Sequence, residues 1–401
     1  MTDDATLAQN DAANPEVSTW LSANAGSGKT RVLTDRVARL LLRGTDPQSI
    51  LCLTYTKAAA SEMQNRLFQT LGNWAMLQDD VLRSKLRDLG ETPPQNLSDA
   101  RTLFARAIET PGGLKIQTIH SFCASILRMF PLEAGISPQF QELDEVSQKD
   151  LLDTVLENIA EDPAVTAIAR TTSRSLQSLA NDLISNRQHF TNKLTRPNIF
   201  AHFDVDEHAT PESIITAALT DDDMAFLQSL LPALKASSSK TNLNIAAAIS
   251  KAGQGSPYHA LLSSFLTQSG TQRKTIVTKD VSQDDSVNNI LTDIAQRFEH
   301  AQTSIFAHNA AAQTVALHDF AQVLLPAYDD KKRRQGVLDF DDLINKTRDL
   351  LTSQSLAWVL YRLDGGLAHI LVDEAQDTSP VQWQVIKSLA DEITAGQGAE
   401  T

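Results

Sequence analysis

Two short segments, far apart in the chain, carry residues suited to phosphoryl chemistry. The first is Ala23-Asn24-Ala25-Gly26-Ser27-Gly28-Lys29-Thr30. Gly26 and Gly28 permit backbone angles closed to other residues and let amides approach an anion. A helix opening after Gly28 would add the partial positive charge of its N-terminus. Lys29 would reach the β- and γ-phosphates of ATP, and Thr30 would offer its hydroxyl to Mg2+. The first position is Ala where such loops usually begin with Gly. The second segment is Asp373-Glu374-Ala375-Gln376-Asp377-Thr378. Asp373 is placed to hold the magnesium and Glu374 to polarise an attacking water. Gln376 is placed to sense the γ-phosphate. Positioning and charge stabilisation are most of what phosphoryl transfer needs.

These residues require strands and helices to hold them. Ser18 to Ala23 is short and rather apolar, and is predicted to be a strand running into the loop. After Lys29 the residues Val32, Leu33, Val37, Leu40 and Leu41 fall on one helical face, and Gly44 is placed to end that helix. Ser49 to Tyr55 reads as a buried strand, followed by an Ala-rich helix from Lys57 to about Leu71. Ala368 to Val372 is another short buried strand with the acidic segment at its tip, and a helix is predicted from about Pro380 to Ile393. This alternation predicts an α/β fold with a parallel sheet. Between about Pro131 and Arg334 strand signals are scarce, so an inserted, mostly helical domain is expected. Within it Asp150 to Ile159 and Ser173 to Ile184 read as helices. Ala236 to Asn242 and Gly253 to Pro257 read as loops, and Phe265 to Lys279 as a small hairpin. The expected division is 1–130 and 335–401 for the sheet domain and 131–334 for the insertion.

The 401 residues suffice for two or three domains. No apolar run has membrane-spanning length, and the polar, acidic start Met-Thr-Asp-Asp-Ala is unlike a signal peptide. Cys52 and Cys123 sit in apolar runs and read as small core residues, which suits a reducing, cytoplasmic setting. A net charge of −14 argues against a broad phosphate-binding face. A groove that grips single strands through amides, hydroxyls and a few aromatics tolerates an acidic whole. The run Lys331-Lys332-Arg333-Arg334 reads as a solvated helix end.

Further segments make the pattern specific. Thr54-Tyr55-Thr56-Lys57-Ala58-Ala59-Ala60-Ser61-Glu62-Met63 and Lys115-Ile116-Gln117-Thr118-Ile119-His120-Ser121-Phe122-Cys123 lie between the two chemical segments. Leu338-Asp339-Phe340-Asp341-Asp342-Leu343 precedes the second. With the loop and the Asp-Glu motif, these resemble the superfamily 1 helicases of the UvrD/Rep type. The first of them lacks the Asn that this family usually places before the Lys. Thr118 to Cys123 followed by Phe130-Pro131-Leu132-Glu133-Ala134-Gly135 looks like the AddA and RecB branch. Arg273-Lys274 and Leu363-Asp364-Gly365-Gly366 look like the AddA type of alphaproteobacteria.

The resemblance implies a RecA-like P-loop NTPase domain with an inserted helical domain. It implies an ATP-dependent 3′-to-5′ DNA helicase, using ATP and Mg2+, that acts in double-strand break repair. Its partners would be single-stranded or duplex-end DNA and an AddB-type nuclease subunit. By resemblance Gln9 would read the adenine edge. Thr54, Tyr55, Thr56 and Lys57 would line a single-strand groove, with Thr118, His120 and Ser121 on the sugar-phosphate backbone. For Asp339, Asp341 and Asp342 the preferred reading is structural, as helix cap and first-turn charge. A strand with a Gly-Asp and Gln signature, a second RecA-like domain and a nuclease domain are implied but do not occur before Thr401. The chain is therefore expected to be an N-terminal part, binding nucleotide with little or no turnover by itself. The alternatives are a stand-alone UvrD/Rep/PcrA-type repair helicase and a non-catalytic DNA- or partner-binding remnant.

Overall fold

The computed structural model describes residues 4–22, 28–252, 256–281, 285–352, 359 and 367–396. The chain divides into two compact units, one of residues 1–148 and 332–401, the other of residues 149–331.

The first unit is built on a three-stranded parallel sheet. Its elements are α1 (Asp4–Ala12), α2 (Lys29–Leu42), β1 (Ile50–Thr54), α3 (Lys57–Met76), α4 (Asp79–Asp88), α5 (Ser98–Glu109), β2 (Lys115–Thr118) and α6 (Ile119–Met129). The two-residue strand β3 (Gln141–Glu142) follows. After the second unit come β4 (Val337–Leu338), α17 (Phe340–Thr352), β5 (His369–Val372) and α18 (Pro380–Gly396). The sheet order is β2-β1-β5, with Leu51 opposite Lys115 on one side and Ile370 on the other. A second, minimal parallel pair joins β3 to β4.

Every residue of β1 is buried, because helices cover both faces of the sheet. The period-two alternation of a strand then sorts its side chains. Leu51 and Leu53 enter a core with Phe122, Ile126 and Leu127 of α6, Leu343 of α17 and Val385 of α18. Ile50 and Cys52 enter the opposite core with Val37, Leu40 and Leu41 of α2 and Met63, Leu67 and Trp74 of α3. Cys52 and Cys123 are both buried, and burial pushes each thiol up to about 12.

Helix α2 ends as its sequence predicts. Gly44 takes φ +89°, the Gly44 amide donates to the Leu41 carbonyl and the Thr45 amide to that of Leu40, a Schellman arrangement. The predicted strand over Ser18 to Ala23 does not form over its described residues 18–22. A strand needs a ladder partner. Beyond β5 the segment is separated from the sheet by a cleft of about 720 Å³ lined from both sides, and Trp20 instead places its ring 6.2 Å from that of Trp383.

The second unit holds most of α7 (Glu145–Asn158), then α8 (Pro163–Thr171), α9 (Leu176–Ser185), α10 (Arg196–His202), α11 (Pro211–Ala218), α12 (Asp221–Ser229), α13 (Leu231–Ala236), α14 (Lys240–Ala252) and α15 (Pro257–Phe265). It also holds most of the 51-residue α16 (Asp285–Gln335). Tyr258 and Phe265 both pack against Phe298 in its core, with their rings tilted against it. The loop expected over Ala236 to Asn242 is shorter than predicted. Asn242 lies inside α14, fully buried, where its amide donates to Ser237 and Thr278 and its carbonyl oxygen accepts from the Thr278 amide. The hairpin over Phe265 to Lys279 is reduced to one antiparallel bridge, Leu266 to Gln272, around Gly270. Residues 253–255 of the second expected loop lie outside the described residues.

Candidate functional site

Parallel strands deliver their loops to one edge, so the carboxyl ends of β1, β2 and β5 form one face of the sheet. β5 carries Asp373 and Glu374 to this edge. The Asp373 amide donates to the Leu53 carbonyl, which extends the ladder one residue past the strand. Its carboxylate is nearly buried and accepts from the Glu374 amide at 3.0 Å. Burial, reinforced by the neighbouring Glu374 charge, raises the Asp373 pKa, while Lys29 and Thr30 pull it back down. Glu374 takes φ +52°, a left-handed conformation that costs a residue with a Cβ about 1 kcal/mol or more. That turn points its carboxylate towards Lys29.

Helix α2 brings the other partners. Gly28 is its N-cap at φ +88°, a backbone angle that explains the glycine. Lys29 Nζ lies 3.8 Å from Glu374 Oε2, and the Thr30 hydroxyl donates to Asp373 Oδ2 at 3.5 Å. Gln376 donates to Glu374. Thus Lys29, Thr30, Asp373, Glu374 and Gln376, drawn from opposite ends of the chain, meet at one place. Ala23, Asn24, Ala25, Gly26 and Ser27 lie outside the described residues, as do Leu363 to Gly366. Gln9 lies beside the loop's end, since a Cβ added to Gly28 would come 3.4 Å from its amide nitrogen. The Thr30 hydroxyl and Asp373 carboxylate are hard oxygen donors close together, which fits Mg2+ completed by phosphate and water. Among the described residues no cluster of three or more His, Cys, Asp or Glu forms a metal cage. A magnesium that keeps its waters needs none.

The ends of β1 and β2 lie side by side, with Thr54 opposite Thr118. Both threonines are buried, and their hydroxyls are engaged locally. Thr54 donates to the Thr56 carbonyl, while Thr118 caps α6 by accepting from the Ser121 amide. Thr118 and Ser121 also share a hydroxyl contact of 2.9 Å. Thr56 caps α3 through the Ala59 amide. Tyr55, Thr56 and Lys57 are exposed. His120 is half-buried, and burial lowers its pKa and favours the neutral ring. Two helix N-termini therefore open on this face beside an exposed tyrosine.

Phe340 was not singled out by sequence. It is 40% exposed with its ring 5.2 Å from that of His120, and its only sequence signal is an aromatic between acidic residues. Asp339 and Asp342 are helix-capping residues, as read from sequence. The Asp342 amide donates to Asp339 Oδ1, and the Asp339 amide to Asp342 Oδ2. Lys332 is not the solvated helix end expected of its basic run. It is buried, with Nζ 2.8 Å from Asp339 and 2.6 Å from Asp342. Arg36 and Arg39 of α2 were also missed, because a helical arginine gives no sign of which carbonyls it will meet.

A parallel sheet with a Lys-Thr helix start beside an Asp-Glu pair at its carboxyl edge is the arrangement of a RecA-like domain. The chain belongs to the UvrD/REP helicase N-terminal domain family, whose profile matches residues 5–395. It is similar to the A subunit of the ATP-dependent helicase/nuclease of Latilactobacillus sakei, 26% identical over 93% of this chain and 45% of the relative. The protein of the same name from Oceanobacillus iheyensis is 25% identical over 94% of this chain and 33% of the relative. That from Lactobacillus gasseri is 36% identical over 134 residues, 33% of this chain and 9% of the relative. The chain thus spans between a third and a half of the first two relatives. Among the described residues no helix is long and apolar enough to cross a membrane.

Proposed function

We propose that this chain is the ATP-binding front part of an AddA-type, ATP-dependent 3′-to-5′ DNA helicase and translocase that processes double-strand ends for recombinational repair. The observation that carries the reading is the convergence of Lys29, Thr30, Asp373 and Glu374 at the carboxyl edge of the sheet. Lys29 neutralises the β- and γ-phosphate oxygens. Thr30 and Asp373 would hold Mg2+, which would supply charge neutralisation for the phosphoryl group. Glu374 orients the attacking water and accepts its proton as the bond to the leaving oxygen breaks. Gln376, in contact with Glu374, reports the state of the γ-phosphate.

The single-strand face is the top of β1 and β2. Tyr55 stacks a base, and Phe340 beside His120 offers a second ring. Thr56, Lys57, Ser121 and the amides at the starts of α3 and α6 meet the sugar-phosphate backbone. Thr54 and Thr118 act by shaping those turns. The partners are duplex-end DNA and, in the cytoplasm, a nuclease protein of the AddB type.

The test is equilibrium binding of Mg·ATP to residues 1–401 and to Lys29→Ala. Wild-type binding that weakens by about a hundredfold in the variant is the expected result, since a charge-assisted phosphate contact is lost. Equal binding by both proteins, or none by the wild type, would sink the reading.

A further inference from the structure

Gln9 sits one turn from the end of α1, and the last carbonyls of any helix lack intrahelical partners. The Asn10 and Ala12 carbonyls of α1, and those of Asn14 and Val17 just beyond it, are met by two guanidinium groups of α2. Arg39 Nη1 donates to the Asn10 carbonyl at 2.7 Å. Arg36 Nη1 donates to the carbonyls of Ala12 at 3.4 Å and Asn14 at 2.5 Å, and its Nη2 to that of Val17 at 2.6 Å. The two arginines are three residues apart and share a helical face. Their positive charge also suits the negative end of the α1 dipole. Arg39 is itself fixed by Glu91 at 2.7 Å. Asn10 adds a third tie, donating to the Asp88 carbonyl at 2.9 Å.

The helix that starts with Lys29 and Thr30 therefore also holds the segment that carries Gln9. Phosphate grip and base contact are set from one rigid element, at its first turn and two to three turns further along. We infer that Arg36 and Arg39 are positioning residues for base selectivity, holding α1 so that the Gln9 amide faces the edge of a bound purine. This rests on the reading of Gln9 as the adenine contact. A fixed carboxamide donates to N7 and accepts from the exocyclic amine of adenine, whereas guanine presents two acceptors there. A Gln9 that is free to wander loses that discrimination. The phosphate contacts of Lys29 and Thr30 are not touched by Arg36, so affinity for the phosphate chain stays.

The experiment compares binding of ATP, GTP and inorganic tripolyphosphate to residues 1–401 and to Arg36→Met, Arg36→Lys and Gln9→Ala. For Arg36→Met the ATP-over-GTP preference falls by about tenfold, the scale of lost hydrogen bonds, while tripolyphosphate binding is unchanged. Arg36→Lys, which keeps the charge but not the forked reach, gives a smaller fall and serves if the methionine variant does not fold. An unchanged preference in the folded Arg36 variants, with Gln9→Ala abolishing it, overturns the positioning role and leaves Gln9 standing. If Gln9→Ala leaves the preference unchanged, or the wild type has none, the reading of Gln9 fails and this inference fails with it. A parallel loss of tripolyphosphate binding in Arg36→Met also overturns it, since the role would then be general support of the site.

Discussion

Replacing Lys332 by Met should weaken the first unit severely. Lys332 is 3% exposed, Asp339 is 2% exposed, and the two carboxylate oxygens that the ammonium faces lie at 2.8 and 2.6 Å. Water cannot take its place readily, so Lys332→Met removes the ammonium that both carboxylates face. Breaking a buried pair in this way costs about 3–5 kcal/mol. For a unit of this size that is a fall of about 6–20 °C in melting temperature. The damage is local in origin, because the same residues cap α17 and set Phe340 against His120. The assay is calorimetric melting of residues 1–401 and of two variants. The second variant adds Asp339→Asn and Asp342→Asn, which keep the capping acceptors and remove the buried charge. It should recover most of the lost stability. A single Lys332→Met variant that melts within about 2 °C of the wild type would show that the carboxylates are solvated or otherwise neutralised, and would refute the argument.

Burial raises the Asp373 pKa, so the folded state holds a proton there more tightly than the unfolded chain does. Stability from this group is therefore greatest at acid pH and declines as pH rises from the usual carboxylate range through the raised value. Asp373→Asn should melt higher than the wild type at pH 7 and lose any stabilisation by Mg·ATP; a lower melting temperature would contradict this. In the second unit, Arg297 holds Asp223 through two hydrogen bonds and depresses its pKa to about 2. A depressed carboxylate stabilises the fold above its unfolded pKa, and that stability is lost as pH falls towards about 2. Arg297→Met should cost about 1 kcal/mol at pH 7 after solvent screening and flatten the acid limb of a stability–pH curve; an unaltered limb would count against the pairing. Tyr55 is 52% exposed at the strand-end face, and Tyr55→Ala should weaken binding of a fluorescent oligothymidine by about 1–3 kcal/mol without altering Mg·ATP affinity. Undiminished oligothymidine binding would remove Tyr55 from the groove.

The chemical residues were legible because their signals are local. Gly28-Lys29-Thr30 needs only a turn that opens a helix, and Asp373-Glu374 only a strand that ends in a turn, and short-range spacing encodes each. The same holds for β1, β5 and the Gly44 stop, where apolar runs and one glycine suffice. The strand expected over Ser18 to Ala23 shows the boundary of such reasoning. A strand exists by virtue of its neighbour, and the cleft beside β5 leaves residues 18–22 without a ladder. Asn242 reads as loop by type yet is buried in α14, because Ser237, Thr278 and Asp280 supply its partners from outside the helix.

By itself the sequence determined the α/β class, the glycine-led helix start at Gly28-Lys29, the paired carboxylates and the capping role of Asp339. Each follows from backbone preference and period within a few residues. Tertiary structure alone decided that Lys332 is a buried counter-ion, that Arg36 and Arg39 close the end of α1, and that Phe340 faces His120. Such long side chains reach several ångströms and are placed by partners from other elements. Their burial and charge balance have no short-range signature.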